Sequence, residues 1–411
     1  MLVKFEGIEF VENGVTAAKG FKASGIHCGI RKNKTKRDLG LIYSDKLCAS
    51  AAVYTQNKVK GAPIYVTKEH LENSMAQAVV VNSGIANTCN ADGIEKANLM
   101  CEVTAKELNI NPNDIIVAST GVIGQPLPIE PIEQGMPSLK SELKKEGNND
   151  FSEAIMTTDT IKKEVAVQFD LSGVKCTIGG CAKGSGMIHP NMATMLCFLT
   201  SDVDIAPELL KIALKRVVDD TFNMVSVDGD TSTNDMVSLM TSGDAGNKRI
   251  ETQNEDFEKF TNALYVVLMN LSRMIAKDGE GATKLLECVV SGADNKKQAK
   301  TVSKSVITSS LFKAAMFGAD ANWGRILCAI GYADCDVDVQ KIDVCFVSKK
   351  GTLPVCEKGY GIDFSEEVAK EILSEDEIKI LINLNSGDEN AVAWGCDLTY
   401  DYVKINGDYR T

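Results

Sequence analysis

The clearest signal in this chain is the spacing of its apolar residues. The run AQAVVV at 76–81 is continuously apolar and short, as a strand buried on both faces requires, and Asn82-Ser83-Gly84 behind it is a turn. From Gly93 to Leu108, Ile94, Ala97, Leu99, Val103 and Leu108 recur at roughly helical spacing, so a helix is predicted. Residues 204–220, DIAPELLKIALKRVVDD, carry Pro207 in a first turn and an apolar face at Leu209, Ile212, Ala213 and Val217, which predicts a second. A third runs through Phe257, Phe260, Leu264, Val267, Leu268, Leu271 and Ile275 and stops near Asp278-Gly279, ahead of the strand-like TKLLECVV. A fourth is predicted from Lys300 to Phe317. The polar stretches 140–150 and 293–298 read as solvated loops or helix ends. Strands and helices alternate without an internal repeat, so the class is mixed α/β.

One stretch breaks the pattern. GGCAKGSGMIHPNMATMLCFLTSD (179–202) places Gly179, Gly180, Gly184 and Gly186 ahead of one of the most apolar runs in the chain. The glycines predict a bent segment with close backbone approach. TMLCFLT (194–200) predicts a buried strand with Thr194 at its threshold.

Composition narrows the chemistry. With 411 residues, 44% of them hydrophobic, the chain can bury a large core, and no run approaches the ~20 apolar residues of a membrane span. The N-terminal MLVKFEGIEFVENG mixes charge into its first turns, unlike a signal peptide, so the expected location is cytoplasmic. A net charge of -12 without a Lys/Arg block argues against nucleic acid and favours small polar metabolites. The 13 cysteines show no C-x-x-C pair, which suggests neither disulfides nor a metal site, and only His27, His70 and His189 are present.

A threonine hydroxyl at a rigid strand end can attack the preceding carbonyl. Acyl transfer from N to O, followed by hydrolysis, would leave Thr194 as a chain terminus whose α-amino group acts as base for its own hydroxyl. Phosphate binding is a rival reading, since Gly179 and Gly184 have P-loop spacing, but Ser185 and Gly186 stand where that motif needs Lys and Ser/Thr. DGDTSTND (228–235) opens like a calcium loop, yet Thr233 and Leu239 occupy the positions of its Gly and Glu. It reads as an Asx-rich turn supporting the site from behind. His189 reads as structural.

KGSGMIHPNMATMLCFLTSD resembles the self-cleavage segment of the ornithine acetyltransferase family, also called glutamate N-acetyltransferase. GFKASGIHCGIRK, ASTGVIGQPLP, MTTDT, FNMVSVDGDTSTND, KDGEGATKLLE, FGADANWGRI and YVKINGDYRT extend the resemblance along nearly the whole chain. The resemblance implies a four-layer αββα sandwich, layered like N-terminal nucleophile hydrolases. It implies self-cleavage between Ala193 and Thr194 into an α chain (1–193) and a β chain (194–411), sharing one core and assembling as two copies of each. The implied reaction is ping-pong transfer of acetyl from N2-acetylornithine to glutamate through acetyl-Thr194. Neither cofactor nor metal is expected, and acetyl-CoA stands as a second acetyl donor in some members. By the same resemblance Thr120 and Gly121 form the oxyanion hole, and Thr157, Lys183, Glu280, Asn406 and Thr411 contact substrate. Without it, STG is a plain turn, Lys183 and Glu280 are solvated charges and Thr157 is a cap. Around Ile85, in NSGIANTCNADG, the family's pattern is not kept. Two alternatives stay open: an aminopeptidase or amidohydrolase of related type, in which water takes the acyl group, and an uncut metabolite-binding protein.

Overall fold

The computed structural model describes residues 2–189 and 195–408. Its sixteen strands, in chain order, are β1 Glu9–Val11, β2 Phe21–Ile26, β3 Leu39–Tyr54, β4 Met75–Asn82, β5 Ile115–Ser119, β6 Lys163–Leu171, β7 Val174–Lys183, β8 Leu196–Ser201, β9 Val225–Ser226, β10 Met236–Thr241, β11 Leu285–Ala293, β12 Asp343–Ser348, β13 Gly351–Glu357, β14 Tyr360–Gly361, β15 Glu377–Asn383 and β16 Glu389–Cys396. Eleven α-helices accompany them: α1 Ala62–His70, α2 Gly93–Leu108, α3 Glu130–Ser141, α4 Asn148–Ile155, α5 Pro207–Asp220, α6 Glu255–Lys277, α7 Lys296–Thr308, α8 Ser310–Phe317, α9 Trp323–Gly331, α10 Glu366–Leu373 and α11 Tyr400–Asp408.

The first sheet runs β1-β6-β7-β8-β10-β3-β4-β5, with β2 also on β3. Its sixteen-residue β3 changes partners halfway: residues 39–43 pair with β2 and β4, residues 49–54 with β10, and the register slips between Tyr43 and Cys48. Side-chain alternation shows what that bend does. On β4, Val79 and Val81 face one apolar cluster while Ala78 and Val80 face another, shared with α2 and α3. On β8, Leu196 and Phe198 face the first of those clusters, and Cys197 and Leu199 face a core shared with α5 and α6. The two halves therefore fold face to face around a common interior, each with helices outside. That is the expected αββα order.

The interior cluster is closed by α4. Phe151 and Phe198, both fully buried, meet edge to face with ring centroids 5.6 Å apart. A second sheet, β14-β13-β12-β15-β11-β16-β9, extends the α6 core outward and carries α7 across β11 and β16. It was not anticipated from the sequence.

The predicted helices over 93–108 and 207–220 and the one through 257–275 are present, as are strands at 76–81 and 285–290. The helix expected over Lys300–Phe317 is two helices. Ser309 adopts an extended conformation and its Oγ accepts from Phe312 N, so one residue ends α7 and caps α8. Gly179 and Gly180 lie in straight strand rather than a bend; close approach is what holds, since a Cβ on Gly179 would sit 1.9 Å from Gly14 O and one on Gly180 2.3 Å from Leu199. The stretch 140–150 is not wholly solvated either. Asn148 is buried, accepts from Val15 N at 2.9 Å and donates to Glu164. Of the 13 cysteines, eight are buried and all are free thiols.

Replacing Phe198 by Ala empties the interior next to Phe151 and should cost about 3–5 kcal/mol. Urea unfolding should show the midpoint falling with an unchanged slope.

Candidate active site

At one end of the sandwich, loops from both half-sheets enclose a cavity of about 200 Å³. Thr120 and Gly121 follow β5, Lys183 ends β7, and Ser232, Thr233 and Asn234 precede β10. Thr157, Gly186, Glu280 and Asn406 line it as well. Six residues singled out from sequence thus line one space: Thr120, Gly121, Thr157, Lys183, Glu280 and Asn406. Ala193, Thr194 and Thr411 lie outside the described residues.

Two loops running side by side shape the Thr120-Gly121 wall. Asn82 Oδ1 accepts from Gly84 N and Ile85 N, and Ile85 forms a parallel bridge with Val122. Gly121 has φ +127, and a Cβ there would lie 2.3 Å from Gly84 O, so only glycine fits. Thr120 N is spent on Asn82 O at 2.9 Å. Its hydroxyl is placed differently: Lys183 Nζ lies 3.4 Å from Thr120 Oγ1, and because an ammonium only donates, that oxygen accepts and its own proton points elsewhere.

Lys183 is buried. Burial pushes its pKa down, against the pull of Asp159 and Asp235. Asp235, also buried, is pushed well above the ordinary carboxylate range by burial, with Ser232 and Lys183 opposing, and among the described residues its Oδ2 has no hydrogen-bond partner. Asp159 goes the other way. Burial raises it, but Lys163 and Lys183 outweigh that and hold it ionised. Its Oδ1 accepts from Gly184 N at 2.6 Å and from Lys163 Nζ at 2.7 Å, and its Oδ2 accepts from Thr157 N at 2.9 Å. One carboxylate therefore fixes both Thr157 and the backbone after Lys183. Lys163 Nζ also meets Asp278 Oδ2 at 2.5 Å, an ion triad sealed from water.

The opposite wall carries the anionic group. Glu280 N donates to Ser185 O at 2.9 Å, and Asn406 Nδ2, on α11, donates to Glu280 Oε2 at 2.8 Å. Gly186 lies flat beneath that carboxylate; a Cβ would come within 2.4 Å of it. This explains the glycine that the sequence left as part of a general bend.

The 228–235 turn does more than support the site. Asp228 accepts from Met187 N at 2.6 Å and Ile188 N at 2.9 Å, as a brace would, but Ser232, Thr233 and Asn234 line the cavity itself. Asn234 staples the half-sheets together, donating to Ala86 O at 2.6 Å and Ser119 O at 3.0 Å while accepting from Thr88 Oγ1 at 2.6 Å. Sequence reading missed Asp159 and Asn234 as organisers. Their signals were present in MTTDT and STND, where an acceptor side chain sits among turn-forming hydroxyl residues. His189 stands beside the cavity rather than in it, its Nδ1 3.1 Å from Ser226 Oγ. Burial, aided by Lys304, lowers its pKa to about 4. Among the described residues no three His, Cys, Asp or Glu side chains gather as a metal site, and no helix is long and apolar enough to cross a membrane.

Two measurements follow from this geometry. Lys163→Met takes from buried Asp159 and Asp278 the ammonium they share, leaving Asp159 the charge of Lys183 alone, and should cost about 3–5 kcal/mol of stability by chemical denaturation. His189, neutral when folded and at about pKa 6.5 when unfolded, makes the unfolded chain bind the extra proton. Its contribution is therefore lost as pH falls from about 6.5 towards 4; in His189→Asn the stability profile should be flatter over that window.

The sequence has counterparts among known proteins. The chain is 53% identical over 398 residues to arginine biosynthesis bifunctional protein ArgJ 1 of Clostridium acetobutylicum, covering 97% of each chain. It is 48% identical over 405 residues to the ArgJ protein of Caldanaerobacter subterraneus subsp. tengcongensis, covering 98% of this chain and all of that one. A solved structure of ArgJ from Bacillus halodurans is 46% identical, with a TM-score of 0.49, covering 52% of this chain and 98% of that one. The ArgJ family model matches residues 22–411, and with whole-length relatives at this identity the chain belongs to the ArgJ family.

Proposed function

We propose that this protein is a glutamate N-acetyltransferase of arginine biosynthesis, moving acetyl from N2-acetylornithine to glutamate by way of acetyl-Thr194. The observation that carries it is the convergence of an unspent hydroxyl donor, a buried ammonium and a cradled carboxylate in one small cavity, in a chain of the ArgJ family.

Cleavage between Ala193 and Thr194 would expose the α-amine that activates the threonine. Strand β8 begins at Leu196 and Met236 N donates to Met195 O at 2.9 Å, so the strand that follows Thr194 is fixed in the sheet. Attack on the acetyl carbonyl builds negative charge on its oxygen. The Thr120 hydroxyl, oriented by Lys183, and Gly121 N–H are the donors for that oxyanion. Glu280, fixed by Asn406, pairs with the side-chain ammonium of the ornithine moiety. Lys183 and Thr157 take the α-carboxylate. After ornithine leaves, glutamate binds in the same space and its amine accepts the acetyl group, so no cofactor enters the cycle. Acetyl-CoA as an alternative donor would acylate the same threonine and yield N-acetylglutamate. The cut pieces, 1–193 and 194–411, would remain one body and pair as two of each. Thr411 would reach the substrate from the end of the segment that carries Asn406.

Incubation with N2-acetylornithine, with and without glutamate, tests the assignment. N-acetylglutamate should form one-for-one with ornithine; equal release of free acetate in both reactions would instead identify a hydrolase. Intact mass and N-terminal sequencing should find a fragment beginning Thr-Met-Leu-Cys, absent from Thr194→Ala. Thr120→Val removes a single oxyanion donor and should lower kcat by about 10²–10³ with a smaller change in KM.

A further inference from the structure

A second cavity is larger than the one above. About 700 Å³ in volume, it runs between α1 and α5 over the second half of β3, lined along its floor by Ser50–Thr55. Four lysines surround it: Lys60 ahead of α1, Lys68 on α1, and Lys211 and Lys215 on α5. None of the four forms a salt bridge among the described residues, and Glu72 is the one acid in the lining. In a chain of net charge -12 four lysines around one groove, of which Lys215 also acts on nearby Asp219, make a distinct local field. Its walls are apolar and aromatic, from Ile64, Tyr65 and Leu71.

The floor has a second property. Residues 49–54 pair with β10 along one edge. On the other edge β4 pairs only as far as Ala49, Ser50 N reaches Ser74 O, and among the described residues no strand follows. Since backbone groups alternate along a strand, Ala52 and Tyr54 direct their N–H and C=O the same way as Ser50, into the groove. An open edge invites another strand, and proteins commonly protect it with lysine or proline on the edge itself. Here residues 51–55, Ala-Ala-Val-Tyr-Thr, carry neither. The lysines stand on the flanking helices and just ahead of α1, where they would bracket an added strand.

We infer that this groove is a docking surface for an extended acidic segment of a partner protein, which adds as a strand to the free edge of β3 while its carboxylates pair with Lys60, Lys68, Lys211 and Lys215. Backbone pairing supplies the register and the lysines the sign of charge. The inference does not depend on the acetyl-transfer reading, because no residue of the groove lines the catalytic cavity.

The test is calorimetric titration of the intact protein with the synthetic peptide Glu-Val-Glu-Val-Glu-Val, its lysine counterpart, and a version N-methylated at alternate amides. The acidic peptide should bind, salt should weaken it, and both the lysine and the N-methylated peptides should fail. Lys211→Glu with Lys215→Glu should weaken binding about tenfold, with acetyl transfer unchanged. No binding of the acidic peptide overturns the inference. Equal binding of the N-methylated peptide also overturns it, leaving a simple polyanion site. So does a drop in assembly size of the double variant by sedimentation, which would make the groove a contact between copies of this chain.

Discussion

A single strand that belongs to two layers governs this molecule. β3 enters one half-sheet beside β2 and β4, slips register between Tyr43 and Cys48, and leaves in the other half beside β10. Because the backbone is continuous through the slip, the halves cannot drift apart. The interior that they enclose must then be filled, which Phe151, Phe198, Val79, Val81 and their neighbours do. The same bend brings the loop after β5 opposite the loop before β10, so that Asn234 can reach Ala86 O and Ser119 O across the gap. The cavity exists because of that closure.

Within the cavity, charge placement is set by burial. Lys183 and Asp235 are both pushed towards their neutral forms, whereas Asp159 is held ionised by two ammonium groups. A carboxylate kept charged in a dry site is a rigid acceptor, and Asp159 uses that rigidity to hold two backbone amides. The substrate-facing groups need not be rigid by themselves; the second layer makes them so.

Much of this was legible from residues. Helical spacing at 93–108 and 207–220 is local, and a 3.6-residue period survives any tertiary setting. Glu280 and Asn406, 126 positions apart in sequence, entered the site only through resemblance, since no periodicity links a turn to a terminal helix. The break at Ser309 escaped notice because a lone serine in an apolar helical pattern gives no sign of whether its hydroxyl caps a new helix. The second sheet escaped for another reason. β12, β13 and β15 span seven residues or fewer, and such short runs do not announce which partners they will find. Asp159 lies in MTTDT, where the resemblance points to Thr157, and a residue that acts on backbone amides leaves no chemical signature of its own.

One feature of the first sheet carries a further meaning. β8 is hydrogen-bonded to β7, which precedes it, and to β10, which follows it. Fragments separated by a break just ahead of β8 would each supply strands to the same uninterrupted ladder, so neither could keep its shape alone. On the proposed chemistry, scission would come only after the ladder is complete. A mature terminus would then certify that its own chain had already reached the native arrangement.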